Sequence, residues 1–574
     1  MKACRFLLVP LSFLIAAACA SSPFSNTNYP SADRPDEARA YSDFMIARFA
    51  AMTNDPQVAA RHYASAISSA PEDLGVAERA VFSALLAGDY GVAAGLARRA
   101  NDAGSEAALV RLTLAVDAIG RGKTENAIEI IEASDLRAFN RMIARNLEAW
   151  SLLPTQGASA AEAMLQQNLT GDPRLDNATL HMIGLVQSAA GNDAAALDTF
   201  GKIWASGARL AVGAEAYAEL LAASGEREKA VAILDQFSED VGVNAALVEL
   251  KARIEAGETI KPRRLTTRQG AALAMFLPAS ALMLQTNDDI ASVYFVLAIA
   301  LDPQLHQART LLGQSLIQGK RPDAAIRILS EVPPVSPFYA AARGQIASTL
   351  MSQEKPGEAL KVAAEALKAK PERSLRLQVA DLYRAQERHA EAEALLSEVM
   401  AEDAADGRQD WRVYFLRGAS RERQSNWEGA EADLKQALAL APDNATVLNY
   451  LGYSWIDRGI NLEEGFSLIR QALVLEPKSG HIVDSLGWAH YQLGQYEQAV
   501  DLLERAVELL PGDPVLNDHL GDAYWKVGRR KEAGFQWSRA LKLDPAAEDR
   551  AMIEQKLVTG LAAAPAPALT STAQ

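Results

Sequence analysis

The chain has 574 residues, 49% of them hydrophobic but only 6% aromatic, with 57 Lys+Arg against 72 Asp+Glu and a formal net charge of -15. Such a composition suits helices that approach closely on alanine, and the acidic balance repels phosphate backbones, so nucleic acid is excluded as an expected partner. Both cysteines, Cys4 and Cys19, lie in the first twenty residues, which leaves the folded body without a disulfide framework or a cysteine-ligated metal site.

Residues 1–18 place Lys2 and Arg5 before an apolar run from Phe6 to Ala18, the pattern of a secretory signal peptide and too short to span a bilayer. The run ends in Ala16-Ala17-Ala18-Cys19, which resembles a bacterial lipobox, where cleavage precedes a cysteine that carries the lipid. Ala16 stands where that pattern prefers Leu, which leaves ordinary cleavage at an A-x-A site as the alternative. A cysteine at this point, with none after it, favours lipidation of Cys19. In that family Ala20, in place of Asp, implies the outer membrane, so the expectation is a lipid-anchored protein facing the periplasm. Residues 19–38, rich in Ser, Asn and Pro, read as the flexible tether.

Residues 39–257 carry small residues in a loose helical register. Ala59, Tyr63, Ala66 and Pro71 form one set, Ala93, Ala97 and Ala100 the next, then Ala127 with Ile131, Ala196 with Phe200, and Ala230 with Leu234. Residues 258–270 bring Lys261, Arg263, Arg264 and Arg268 together around Pro262 with little helical pattern. They predict a solvated linker between two halves.

Residues 271–545 show the register clearly, and most fully after Trp411. Gly418, Gly452, Gly487 and Gly521 are followed by Ala430, Gly465, Ala499 and Ala533, then by Ala437, Ala472, Ala506 and Ala540, and each set closes on Pro442, Pro477, Pro511 or Pro545. A period of about 34 residues with this order of small residues and proline resembles the tetratricopeptide repeat, a helix-turn-helix unit. The resemblance implies an all-α superhelical solenoid in two halves, the second with eight repeats. Residues 546–559 are expected to cap the stack, and residues 560–574 read as disordered.

With the glycine of each unit set at position eight, Leu451, Leu486 and Leu520 at position seven share the face that meets the second helix. The opposite face lines the concave groove in that family. Here it presents Asn449, Asp484 and Asp518 at position five and Tyr453, Trp488, Tyr491 and Trp525 at positions nine and twelve, with Asp522 beside them. Aromatics flanked by polar groups are what a protein-binding surface uses. These eight residues form the candidate groove, and its acidic character fits basic or polar extended segments better than a terminal carboxylate.

No GxxxxGK[ST], GxSxG or HExxH pattern is present, so the sequence offers no cofactor site, no metal site and no catalytic set. The layout of leader, weak first half and strong second half, with YLGYSWIDRG and DSLGWAHYQLG, resembles the large outer-membrane tetratricopeptide lipoproteins of Gram-negative bacteria. Within them it is similar to adaptors that bring a periplasmic carboxyl-terminal processing protease to cell-wall hydrolases. That resemblance implies a non-catalytic scaffold with envelope proteins as partners. An assembly factor for a secretion, pilus or polysaccharide-export machine is the alternative, and an enzyme with an unrecognised site is a third.

Overall fold

Alanine and glycine, placed in register by the sequence, are the points at which the helices touch. The computed structural model describes residues 35–69, 73–136, 138–171, 173–283 and 288–561. The leader, Cys19, most of the tether, Pro71 and the tail beyond residue 561 lie outside them. The described residues form thirty α-helices and no strand. Their contacts divide the chain into two compact units, with the boundary between Phe338 and Tyr339.

In the first unit the helices pair as antiparallel neighbours. They are α1 (Pro35–Met52) with α2 (Pro56–Ser69), α3 (Leu74–Leu86) with α4 (Tyr90–Asp102), α5 (Ala108–Gly120) with α6 (Thr124–Glu132), and α7 (Ala138–Gln156) with α8 (Ala158–Gln166). Next come α9 (Pro173–Ala189) with α10 (Asp193–Ala205), α11 (Ala211–Ala223) with α12 (Arg227–Asp240), and then α13 (Ala245–Glu255). Two further pairs follow, α14 (Thr267–Met283) with α15 (Asp288–Leu301) and α16 (His306–Gln318) with α17 (Pro322–Ser330). Ala59, Ala93, Ala97, Ala127, Ala196 and Ala230 are all buried, because a methyl group is the largest side chain the second helices admit at those contacts.

The segment predicted as a linker at residues 258–270 departs from that reading. It runs without helix to Thr266 and is strapped to α9, α10 and α11. The Arg263 backbone N–H donates to Glu219 at 2.8 Å and its guanidinium to Glu215 at 3.0 Å. Arg264 donates to both carboxylate oxygens of Asp193, at 2.5 and 2.7 Å, and to the Ser188 carbonyl at 2.6 Å. Two of the four basic residues, Arg263 and Arg264, are thus spent on internal acidic and carbonyl groups, while Lys261 and Arg268 are exposed.

Beyond the strap, every residue of α14 from Gly270 to Ala279 is buried, and the helix packs on α5, α7 and α9. Gly270 lies flat on the Trp150 indole, where a methyl group would stand 2.0 Å from the ring. Helix α15 continues the layer onto α3 and α5, and the Tyr294 hydroxyl donates to Asn140 at 2.6 Å. A helix apolar all round must be enclosed, and the face of the first helices encloses this one. That requirement moves the boundary from residues 258–270 to Phe338. At the far end of the unit Asn54 donates to the Gly319 carbonyl and Arg321 pairs with Asp289, leaving a cleft of about 660 Å³ over Leu312 and Leu316.

The second unit continues the pairing without a returning helix. It holds α18 (Tyr339–Ser352) with α19 (Pro356–Ala369), α20 (Arg373–Ala385) with α21 (His389–Ala405), α22 (Trp411–Arg423) with α23 (Trp427–Leu440), and α24 (Ala445–Asp457) with α25 (Leu462–Leu475). The stack ends in α26 (Gly480–Gln492) with α27 (Tyr496–Leu509), α28 (Pro514–Lys526) with α29 (Arg530–Lys542), and the single helix α30 (Ala547–Thr559). The glycines at position eight let paired helices approach closely. A methyl group on Gly452 would meet the Gly465 carbonyl at 2.7 Å, and one on Gly521 would meet the Trp537 ring at 2.5 Å. The extra residues near Asp406 extend α21 to Ala405, where the buried Asp403 takes a bidentate pair from Arg373 at 2.8 Å.

Candidate protein-binding groove

The first helices α24, α26 and α28 stand side by side and turn positions five, nine and twelve to one face. On α24, Asn449 and Tyr453 are half-buried, and the Asn449 side-chain oxygen is enclosed without a hydrogen-bond partner. Burial, with Asp457 and Asp484 nearby, pushes the Tyr453 hydroxyl well above its ordinary pKa, so it remains a neutral donor.

On α26 and α28 three rings form a continuous stack. The Trp488 indole lies over His519 at 4.1 Å between centroids, with planes 17° apart, and over Tyr491 at 4.6 Å and 7°. The Trp488 N–H is enclosed without a partner. Beneath the stack, buried His519 donates through Nδ1 to the buried Asp484 carboxylate at 3.0 Å. Burial alone would lower the pKa of His519, but the charges of Asp484, Asp518 and Asp522 together hold it above the ordinary histidine value. The three carboxylates thereby favour the protonated ring against its burial.

Asp518, Asp522 and Trp525 stand differently from the free groove residues expected of them. Lys556 of α30 donates to both oxygens of Asp518, at 2.8 and 2.9 Å, and to Asp522 at 2.8 Å. The other oxygen of Asp522 accepts from the Trp537 indole at 2.9 Å. Burial and the neighbouring Asp518 raise the carboxyl pKa of Asp522 against the pull of Lys556. Trp525 packs on Trp537 at 5.5 Å and is covered by the backbone of Gly560, where a methyl group would stand 2.0 Å from the ring.

Of the eight sequence-assigned residues, Asn449, Tyr453, Trp488 and Tyr491 are half-buried along one stretch of groove, and Asp484 is buried among them against His519. The other three lie beneath α30. Sequence reasoning assigned no site role to His519 or Lys556. His519 sits one residue from the position-five carboxylate Asp518, which was a usable signal, whereas Lys556 is 38 residues from its partner Asp518 and had none.

Two segments, residues 345–407 and 415–479, match the tetratricopeptide repeat family, and residues 487–528 match a TPR repeat. These segments are tetratricopeptide repeats. Arrays of such units use their concave faces to bind proteins, and the chain is in that coarse sense a protein-binding scaffold. The curated TPR repeat-containing protein PA4667 of Pseudomonas aeruginosa is 35% identical over 91 residues, which are 16% of this chain and 15% of that protein. The match thus spans well under a fifth of that relative's length. Among solved structures, the anaphase-promoting complex hetero-tetramer Cut9-Hcn1 aligns over 84% of this chain and 95% of its own, at 17% identity and a TM-score of 0.38. A tetratricopeptide repeat protein from Parabacteroides merdae aligns over 44% and 98%, at 14% identity and a TM-score of 0.39.

Proposed function

We propose that this chain is a non-catalytic scaffold, anchored by an acylated Cys19 to the outer membrane, that holds envelope proteins against the groove of its second unit. The clients in this reading include a carboxyl-terminal processing protease and the cell-wall hydrolases it is brought to. The observation that carries the binding role is the row of Tyr453, Trp488 and Tyr491 beside Asn449 and the His519–Asp484 pair. It combines large rigid rings that have little rotamer entropy to lose with the half-buried polar side chains of Asn449 and Tyr453.

The test is a pull-down from intact cells after crosslinking, comparing the wild type with Trp488→Ala combined with Tyr491→Ala. Helicity should persist, and the captured proteases and hydrolases should be lost. Retention of every partner would sink the groove assignment, and capture of export-machine subunits instead would replace the client class. Anchoring is tested separately by metabolic labelling with an alkyne fatty acid. The label should vanish in Cys19→Ser, and a label that survives excludes this anchor.

A further inference from the structure

Helix α30 closes the second unit, yet it is the least enclosed helix there. Ile553 alone among its described residues is buried, while Met552 and Val558 are exposed, the latter at 85%. Its hold on the stack comes from one face. Ile553 sits in the core formed by Leu520, Tyr524 and Trp537, Lys556 three residues on bridges Asp518 and Asp522, and Gly560 a further turn along lies on Trp525. The chain enters α30 through Asp544, at φ +56°, and Pro545, a bend that joins it to α29 without helical continuity. A cavity of about 200 Å³ remains between α30 and the groove, walled by Trp488, His519, Asp518, Asp522 and Met552.

The repeat geometry identifies what α30 replaces. In the preceding unit the groove carboxylate Asp484 is satisfied by His519 from the next first helix. Beside α28 the next described helix after α29 is α30, and its Lys556 takes the corresponding place on Asp518 and Asp522. The interior first helices α24, α26 and α28 each bury seven or more residues in this position, whereas α30 buries one. Two carboxylates also face one ammonium, so the site keeps a net negative charge after α30 is seated.

We infer that Asp518, Asp522 and Trp525 form a docking face for a helix of a partner protein that presents an apolar side chain, a lysine three residues later and a small residue four beyond. Helix α30 is its exchangeable occupant in cis. The inference rests on the reading of this groove as a protein-binding surface and names the chemistry of the segment it takes. A tethered occupant acts at an effective concentration of about a millimolar, so a partner helix displaces α30 when it offers the same three contacts with more buried area.

The experiment uses the full chain and, as probe, a synthetic peptide of residues 546–561. Ile553→Asp with Lys556→Glu releases α30, because the first puts a carboxylate into the apolar core of Leu520, Tyr524 and Trp537 and the second sets one against Asp518 and Asp522. By fluorescence anisotropy the peptide should bind the released chain at least about tenfold more tightly than the wild type, whose face is occupied. Adding Asp518→Asn and Asp522→Asn to the released chain should weaken binding at least about tenfold. Equal affinity for released and wild-type chains, or binding to neither, overturns the inference. Hydrogen exchange on the wild type provides a second reading that requires no variant to fold. The amides of α30 should exchange at least about a hundredfold faster than those of α28 and α29, and equal protection shows a permanent cap. Loss of clients on Trp488→Ala with Tyr491→Ala, alongside failure of the peptide, would leave the groove reading standing and remove only the exchangeable helix.

Discussion

The two units apply one architecture to opposite ends. In the first, the face of the first helices is covered by the apolar pair α14 and α15, so the surface that a repeat array ordinarily offers to others is consumed as core. In the second, the equivalent face keeps Asn449, Tyr453, Trp488 and Tyr491 half-exposed and pairs its charges in place. Helix pairing alone therefore does not make a binding surface. What decides is whether the chain supplies an apolar helix to fill its own groove.

The largest effect should follow from breaking the seat of α14. Gly270→Leu drives a side chain into the Trp150 ring, which is fully buried and cannot turn away, and should cost about 3 kcal/mol or more. Urea denaturation should show the first unit melting early, while client capture through the second unit persists. If capture disappears with it, the two faces are not independent. Next in size is Trp488→Ala with Tyr491→Ala, which should weaken a groove client by about 2 kcal/mol, roughly thirtyfold, with an unchanged melting curve for the first unit.

An effect of similar size probes how the second unit holds together without a filling helix. Arg373→Ala leaves buried Asp403 with Arg408 alone and should cost about 2 kcal/mol in a urea titration. Arg373 holds the Asp403 carboxyl below the usual carboxylate range. Its contribution is therefore present above the unfolded-state pKa and is lost as pH falls through the folded value. The difference between wild type and variant should shrink on acidification from neutral pH, and a difference that grows there would show that the pair is not a stabilising contact.

What the sequence disclosed divides along the same line. Gly452, Gly487 and Gly521 could be placed because a repeat writes its close contacts at fixed spacing, and each proves to have no room for a side chain. The face assignment of Asn449, Asp484 and Trp488 followed from the same period. The course of α14 was hidden because an apolar helix that fills a groove and one that belongs to the stack share a helical pattern. The strap from Arg263 and Arg264 was hidden because its acceptors lie tens of residues upstream and no local signal marks them. Lys556 was unreadable for the same reason, and with it the covering of Asp518, Asp522 and Trp525.

The smallest effect concerns the charge that separates the two faces most sharply, the imidazolium of His519. It is faced by Asp484 and Trp488 from α26, by Asp518 and Asp522 on its own helix, and by Lys556 across the cavity from α30. His519→Gln retains a donor for Asp484 but removes the titration, which isolates the charged part of the hydrogen bond, about 1 kcal/mol. A histidine whose folded pKa is raised contributes stability that is fully present below its unfolded value and fades as pH rises through the folded one. The wild type should therefore exceed His519→Gln in urea midpoint below the ordinary histidine pKa, and the gap should close as pH rises through the raised folded value. A gap that is constant or widens with pH would mean that His519 is neutral in the fold. The groove beneath Trp488 would then carry the uncompensated charge of Asp484, and its preference for a basic client would be stronger, not weaker.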